Sequence, residues 1–406
     1  MIKVGINIGN SKISCIVSDY SISKKTRVLS LISHPTEEVK KNLFLNYQKL
    51  LDEIKILISE SEKNSQTKIY SINLNIPTID SLSEFYDSEI LIGDEKITDL
   101  HLKKAINQSN YFEKNDEYFE SINNIVSYEI DNKTVYYSPL GNYGDKLKIN
   151  FYRLLLSRKY LKNIINLSQD LKINIDNYIP TPLSSALATL SNDEKKLGSI
   201  CIDLGHSSTS TAIFFNNSFI FADSFMVGSN HVTNDIARGV STTISSAERL
   251  KTLYGSVLSS PSDEHENIEI PNISGEENKF NQINRSKINS IIKPRIEETL
   301  EIVWQKIKQN GLNNKKIKNV VITGGGAQLE GIREYAEMIF SSNVRLAKPL
   351  DELNLDGRFA NPAYSDVIGT ILYNFEDYAI SFMKNNEKKS KNSSFSSFFT
   401  WLDKYI

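Results

Sequence analysis

CIDLGHSSTSTAIF, residues 201–214, decides how the chain is read. An apolar run ends in an acid, turns at a glycine through small hydroxyl residues, and leaves in a second apolar run. Such a hairpin suits phosphate, because an enclosed phosphate loses water and needs main-chain N–H groups at close approach, which Gly, Ser and Thr in a tight turn allow. Two residues fit this outline less well. His206 and Ser210 stand where a nucleotide-hydrolysing loop would more usually carry a glycine and a second acid. Taken alone, the stretch reads first as an ordinary hairpin.

The same theme opens the chain. Residues 4–9 and 13–17 read as strands around Gly9, Asn10, Ser11 and Lys12. A third glycine turn, Gly324-Gly325-Gly326-Ala327, follows the strand-like residues 319–323 and precedes a helical pattern over 329–340. Two copies of one hairpin predict a duplicated core, and the order strand, glycine turn, helix predicts an α/β fold. Between the copies, residues 39–61 carry apolar residues at helical spacing and 68–76 return to a strand. From about 81 to 171 mixed strands and helices read as an inserted module. A helix is expected over 182–191 and a helical pattern over 234–255. Residues 256–287 form a polar segment, open to reading as a loop-rich subdomain or as partly disordered, and a long amphipathic helix follows from 291 to about 309.

At 406 residues the chain exceeds what one core normally supports, so two or more units are expected. With 40% hydrophobic and 24% charged residues and a net charge of -2, it reads as soluble and globular, with no general reason to bind nucleic acid. Cys15 and Cys201 form no C-x-x-C pair, which argues against a disulfide framework or a thiolate metal site and fits a reducing cytosol. The opening MIKVGINIGNSKISCIV lacks the regions of a signal peptide, and no later apolar run is long enough to span a bilayer. The expectation is a protein neither secreted nor membrane-spanning. KNNEKKSKNSS, residues 384–394, reads as a linker, and FSSFFTWLDKYI behind it as an amphipathic helix. Phe395, Phe398, Phe399, Leu402, Tyr405 and Ile406 fall on one side of that helix, with Trp401 flanking.

VGINIGNSKI, IDLGHSSTSTAIF and VITGGGAQLEG resemble the two phosphate loops and the adenosine turn of the actin/Hsp70/sugar-kinase ATPase superfamily. MVGSNHVTNDIARG with AERLKTLYG, the final segment ANPAYSDVIGTILY, and the terminal helix behind a polar linker resemble, within it, the FtsA family of bacterial cell division. The resemblance covers nearly the whole chain; Ser229 replaces the second glycine of that family's Gly-Gly-x-His run. It implies an α/β, actin-like duplicated two-domain fold with an ATP cleft, an FtsA-type inserted subdomain (1C) and a C-terminal amphipathic helix. The implied subdomains are 1A (1–80 and 172–197, with 360–380), 1C (81–171), 2A (198–230 and 291–359) and 2B (231–290). A flexible linker (381–392) and a membrane-targeting helix (393–406) would follow.

The implied cofactors are ATP and Mg2+. Asn10, Ser11 and Lys12, after Asn7 and Gly9, would face the β- and γ-phosphates. Gly205, Ser207, Ser208 and Thr209, with the leading acid Asp203, would close on them from the other side. Gly228 would lie near the nucleotide, Glu248 and Lys251 would reach the ribose and base, and Gly324, Gly325 and Gly326 would let the backbone pass beside the adenosine. The implied partners are the tail of the tubulin-like protein FtsZ on 231–290, further copies of the chain in filaments, other division proteins on the inserted module, and anionic lipid on the terminal helix. The implied place is the cytoplasmic face of the inner membrane.

The departures bear on chemistry. Superfamily members that hydrolyse ATP efficiently usually have an acid where Asn7 stands, because a carboxylate helps hold the Mg2+ shell and orient water. With Asn7 and Ser210 in place of acids, a nucleotide-binding site with poor or absent turnover is expected, with no catalytic residue and no protein-held metal cluster. His206 reads as a loop residue rather than a catalyst. A small-molecule kinase of the same superfamily is a competing reading, which the missing carboxylates disfavour. A pilus-assembly adaptor is another, disfavoured by the SNHVTNDIA run and the terminal helix.

Overall fold

The computed structural model describes residues 2–20, 26–40, 43–109, 117–271, 280–312, 317, 319–353, 355 and 357–374. The expected linker (381–392) and membrane-targeting helix (393–406) lie outside the described residues. In chain order the first part comprises β1 (Ile2–Ile8), β2 (Lys12–Tyr20), β3 (Thr26–Pro35), β4 (Val39–Lys40), β5 (Leu43–Phe44), α1 (Tyr47–Ser65) and β6 (Ser71–Ile76). There follow β7 (Leu82–Lys96), α2 (Asp99–Gln108), β8 (Tyr118–Ile130), β9 (Lys133–Val135), β10 (Tyr143–Ser157), α3 (Arg158–Leu171), β11 (Asn174–Pro180), α4 (Thr181–Thr189) and α5 (Asn192–Leu197). The second part comprises β12 (Ser199–Leu204), β13 (Thr209–Phe215), β14 (Ser218–Phe225), α6 (Ser229–Gly239), α7 (Ile244–Tyr254), β15 (Asn267–Pro271), β16 (Phe280–Asn284), α8 (Arg285–Gln309), β17 (Asn319–Thr323), α9 (Ile332–Phe340), β18 (Asn343–Leu346) and α10 (Ser365–Leu372).

Two five-stranded sheets repeat one plan. The first runs β3-β2-β1-β6-β11 and the second β14-β13-β12-β17-β18. In each, the first three strands form an antiparallel meander and the last two join in parallel. The strands β1 and β12 are buried in near-continuous runs because helices cover the sheet faces. The inserted module is a separate sheet, β7-β10-β8-β9, closed by α2 over its own small core of Ile90, Ile92, Ile97, Ala105, Leu147, Ile149 and Phe151. Helix α3 instead sends Leu161, Ile164 and Leu167 into the core of the first sheet.

Caps move several helix boundaries away from the apolar pattern. Residues 39–44, expected to begin a helix, pair as the short strands β4 and β5, and α1 starts only where the Asn46 side chain accepts the Lys49 N–H at 3.0 Å. The helical pattern of 234–255 is two helices: Ser241 turns at φ 52°, and the Thr243 side chain accepts the Ser246 N–H to open α7. Asn284 accepts the Lys287 N–H at 3.0 Å, so α8 begins at Arg285, ahead of the expected 291. Residues 325–328 form a 3-10 turn, and α9 waits until Ile332. The polar segment after 256 contains a short 3-10 turn at Pro261–Glu264 and the hairpin β15–β16.

Helix α10 returns to the first sheet and fixes one wall of the cleft. A Cβ on Gly5 would stand 1.7 Å from Thr370 Oγ1 and one on Gly369 1.8 Å from the Ser184 carbonyl, so α10 lies directly on β1 and α4. Lys3 Nζ donates to the Tyr373 carbonyl at 3.0 Å, and Asn73 Nδ2 to the Thr370 carbonyl at 2.9 Å. The inserted module also grips the second sheet. Ser83 Oγ donates to the Ala222 carbonyl at 2.5 Å, the Tyr152 hydroxyl accepts the Ala222 N–H at 2.8 Å, and Asn124 Nδ2 donates to the Phe219 carbonyl at 2.9 Å. Among the described residues no helix is long and apolar enough to cross a membrane.

Candidate functional site

The two hairpins close their turns with the same hydrogen bond. The Gly9 N–H donates to the Lys12 carbonyl and the Gly205 N–H to the Ser208 carbonyl, each at 3.0 Å. Two residues before each glycine the strands carry Asn7, opposite Ser14, and Asp203, opposite Ser210. Both turns face one cavity of about 490 Å3. The first hairpin lines it with Asn7, Gly9, Asn10, Ser11 and Lys12, the second with Asp203, Gly205, Ser207, Ser208 and Thr209. Gly228 ahead of α6, Glu248 and Lys251 on α7, and Gly324, Gly325 and Gly326 complete its wall. The structure thus brings together every cavity residue singled out in the sequence; the terminal aromatic residues lie outside the described residues.

The glycines owe their identity to packing between these pieces. A Cβ on Gly228 would meet the His206 and Gly205 carbonyls at 2.6 and 2.7 Å, so this glycine lets α6 seat on the second turn. Gly324 has φ +87°, and a Cβ there would stand 2.2 Å from Asp203 Oδ1; one on Gly326 would stand 2.9 Å from Leu204 Cβ. These two glycines make room for the end of β12. Gly325 has only Ala363 Cβ, at 3.8 Å, near its added carbon. His206 is not among the residues with positive φ, so its place in the turn requires no left-handed backbone.

Charge gathers on the floor and at one side. Lys12 Nζ donates to the Ala363 carbonyl at 2.5 Å and lies 3.7 Å from the centre of the Tyr364 ring. Burial lowers its pKa, against the raising influence of Asp366 and Asp203. Burial, then the charge of Asp366, pushes Asp203 up to about 7, against the Ser185 hydroxyl bond and Lys12. On the side, Lys251 Nζ donates to Glu248 at 2.7 Å, to Thr233 Oγ1 at 2.9 Å and to the Ser229 carbonyl at 3.3 Å. Burial raises the Glu248 pKa, but the hydrogen bonds from Lys251 and Thr233 outweigh it and the net shift is downward. Burial and the Lys251 charge lower His206.

Asp366 was not singled out from the sequence. It lines the cavity and accepts a hydrogen bond from Asn7 Nδ2 at 2.6 Å. The available signal was a single acid in the apolar helix SDVIGTIL. The donors fit a hydrated divalent cation beside phosphate. Asp203 and Asp366, which interact with each other and with Lys12, both line the cavity, and the buried atoms Ser210 Oγ and Asn10 Oδ1 on its wall have no hydrogen-bond partner. Among the described residues no cluster of three or more His, Cys, Asp or Glu could hold a bare ion. An ion here would keep water and lean on phosphate, the usual habit of Mg2+.

Residues 200–369 match the family model described as Cell division protein FtsA. The chain is 29% identical over 380 residues to the cell division protein FtsA of Agrobacterium fabrum, covering 91% of this chain and 86% of that one. It is 23% identical over 384 residues to that of Escherichia coli, covering 92% and 90%. Solved structures of similar shape include the PilM-PilN type IV pilus biogenesis complex, with a TM-score of 0.62, 13% identity and coverage of 91% and 97%. MreB5 of Spiroplasma citri bound to ADP has a TM-score of 0.56, 14% identity and coverage of 96% and 99%. At such identities these structures bear on the fold alone, which is actin-like.

Proposed function

The chain is a relative of the cell division protein FtsA, and on that premise we propose that it binds ATP with Mg2+ in the cavity between the two hairpins and acts in division as a nucleotide-dependent tether. The observation that carries the nucleotide reading is the pair of identically closed turns, at Gly9 and Gly205, facing one cavity. Main-chain N–H groups in such turns suit phosphate oxygens. The free Ser210 and Asn10 oxygens offer further polar contacts. In this reading Asn10, Ser11 and Lys12 approach the β- and γ-phosphates from one side and Gly205, Ser207, Ser208 and Thr209 from the other. Glu248 takes the ribose hydroxyls with Lys251 beside the base, and the turn at Gly324, Gly325 and Gly326 borders the adenosine.

The tether is the finer part of the proposal. FtsZ would dock on residues 231–290, the chain would self-associate in filaments, and the module within 81–171 would meet other division proteins. Phe395, Phe398, Phe399, Trp401, Leu402, Tyr405 and Ile406 would hold the assembly at the cytoplasmic face of the inner membrane, weakly for one copy and firmly in a filament. The sequence relatives named above are division proteins, which favours this role over a pilus adaptor. The test is co-sedimentation with anionic liposomes in ATP, comparing the full chain with one ending at Asn392. Pelleting of the full chain alone is the expected result. Equal recovery of both in the supernatant, at concentrations that allow self-association, removes the tether.

A further inference from the structure

The first hairpin lacks the acid expected on its strand, yet a carboxylate stands one hydrogen bond away. Asn7 Nδ2 reaches Asp366 Oδ2 at 2.6 Å across 359 positions of sequence. Four elements fix this acid. The Val367 N–H of its own helix donates to Oδ1 at 2.7 Å, and Asn75 of β6 donates to its carbonyl at 2.9 Å, joined there by the Ser184 hydroxyl of α4. The carboxylate is not sealed by this packing: Asp366 remains partly accessible and lines the cavity together with Asp203. Lys12, whose charge acts on Asp366, is turned to the Ala363 carbonyl and the Tyr364 ring.

We propose that Asp366 is a further residue of the nucleotide site: it supplies from α10 the carboxylate that β1 lacks, and holds the water shell of the divalent cation that accompanies the phosphates. The inference rests on the nucleotide reading above. Asp203, Asp366 and Lys12 act on one another electrostatically, two acids to one lysine, so this part of the cavity has room for positive charge, and hydrated Mg2+ takes oxygen ligands through water. Asn7 then acts as a positioning residue, aiming Asp366 by its amide. The competing role for Asp366 is structural, as an acid in the first turn of α10 favoured by the helix dipole.

Equilibrium binding of a fluorescent ATP analogue to the full chain, once in EDTA and once in Mg2+, separates the two. Asp366→Asn keeps an oxygen to accept the Asn7 hydrogen bond. A charge-assisted contact of this kind corresponds to roughly a tenfold change in affinity, so Mg2+ should tighten binding about tenfold in the native protein and less than about threefold in Asp366→Asn. Binding in EDTA should be equal or tighter in the variant. An undiminished Mg2+ effect in a folded Asp366→Asn overturns the proposal and leaves the nucleotide reading intact. Absence of binding to the native protein in both conditions overturns the nucleotide reading itself. If Asp366→Asn does not fold, Fe2+ in place of Mg2+ with ATP and the native chain gives the answer through hydroxyl-radical backbone cleavage. Cuts at 364–368 support the proposal, and cuts at 9–12 or 203–209 with none at 364–368 overturn it.

Discussion

The main-chain N–H of Ser229 donates to the carbonyl of Gly205 at 2.9 Å, so the first residue of α6 is fastened to the turn of the second hairpin. Asn230 repeats the contact on His206 at 2.8 Å. The two bonds require the backbone of Gly228 to lie flat on the turn. Gly228→Ala should therefore push α6 off the hairpin, costing about 1–3 kcal/mol of stability as overpacking does. Urea unfolding measures the cost, and nucleotide affinity should fall in the same variant. Unchanged values in both would mean the turn yields freely.

Lys251 ties α7 to α6 through Glu248, Thr233 and the Ser229 carbonyl. Lys251→Met keeps much of the stem and removes all three bonds. Nucleotide affinity should fall by roughly tenfold, the worth of charge-assisted hydrogen bonds in a partly buried site. Titration with ATP in a calorimeter checks it. If Glu248 takes the ribose, replacing ATP by an analogue that lacks the 2'-hydroxyl should cost less affinity in Glu248→Gln, where that contact is already gone, than in Lys251→Met.

Tyr152 is fully buried, and its hydroxyl accepts the Ala222 N–H while bonding Ser83. Tyr152→Phe keeps the edge-to-face contact with Phe219 and leaves a buried N–H without its partner. The expected cost is about 1–3 kcal/mol, read from the shift of the unfolding midpoint. Ser83→Ala should cost less, because it leaves the Ala222 N–H bonded.

Glu194 accepts the Ser191 N–H and pairs with Arg345, which holds its pKa below the ordinary 4.5 although burial alone acts upward. A carboxylate depressed in the folded state stabilises it above the unfolded pKa and loses that contribution as pH falls through the folded value. Glu194→Gln should therefore melt lower than the native protein at neutral pH, and the two curves should converge as pH drops well below 4.5. A gap that widens on acidification would reverse the sign and exclude this account.

The hairpins were legible because each is a local object: an apolar run, a glycine, small polar residues and a second run within fifteen positions or so. The duplicated sheet order follows from them. Helix starts were less legible, since Asn46, Thr243 and Asn284 set them by side-chain caps that the apolar spacing does not encode. The cavity residues of both turns and the third glycine run could be picked out by chemistry, and those of α7 only through the family resemblance. Asp366 could not, because its partner Asn7 is brought to it only by the folding of α10 onto β1. The packing reason for Gly324 and Gly326 was hidden for the same cause: it lies in the neighbouring strand.

Helix α10 bears on the order in which the protein can mature. Strand β1 is synthesised early, yet Gly5, Lys3 and Asn7 complete their contacts only with residues of 366–373. At ribosomal speed a separation of 359 residues is roughly 20–70 s of waiting. During that interval the first sheet lacks the cover of α10, and Asn7 beside its glycine turn lacks Asp366. The second sheet, from β12 to β18, is complete in itself before α10 emerges. Maturation should thus run from the later half back to the earlier one, with nucleotide affinity arriving last, and the nascent first sheet is the stage at which a chaperone would find apolar surface to hold.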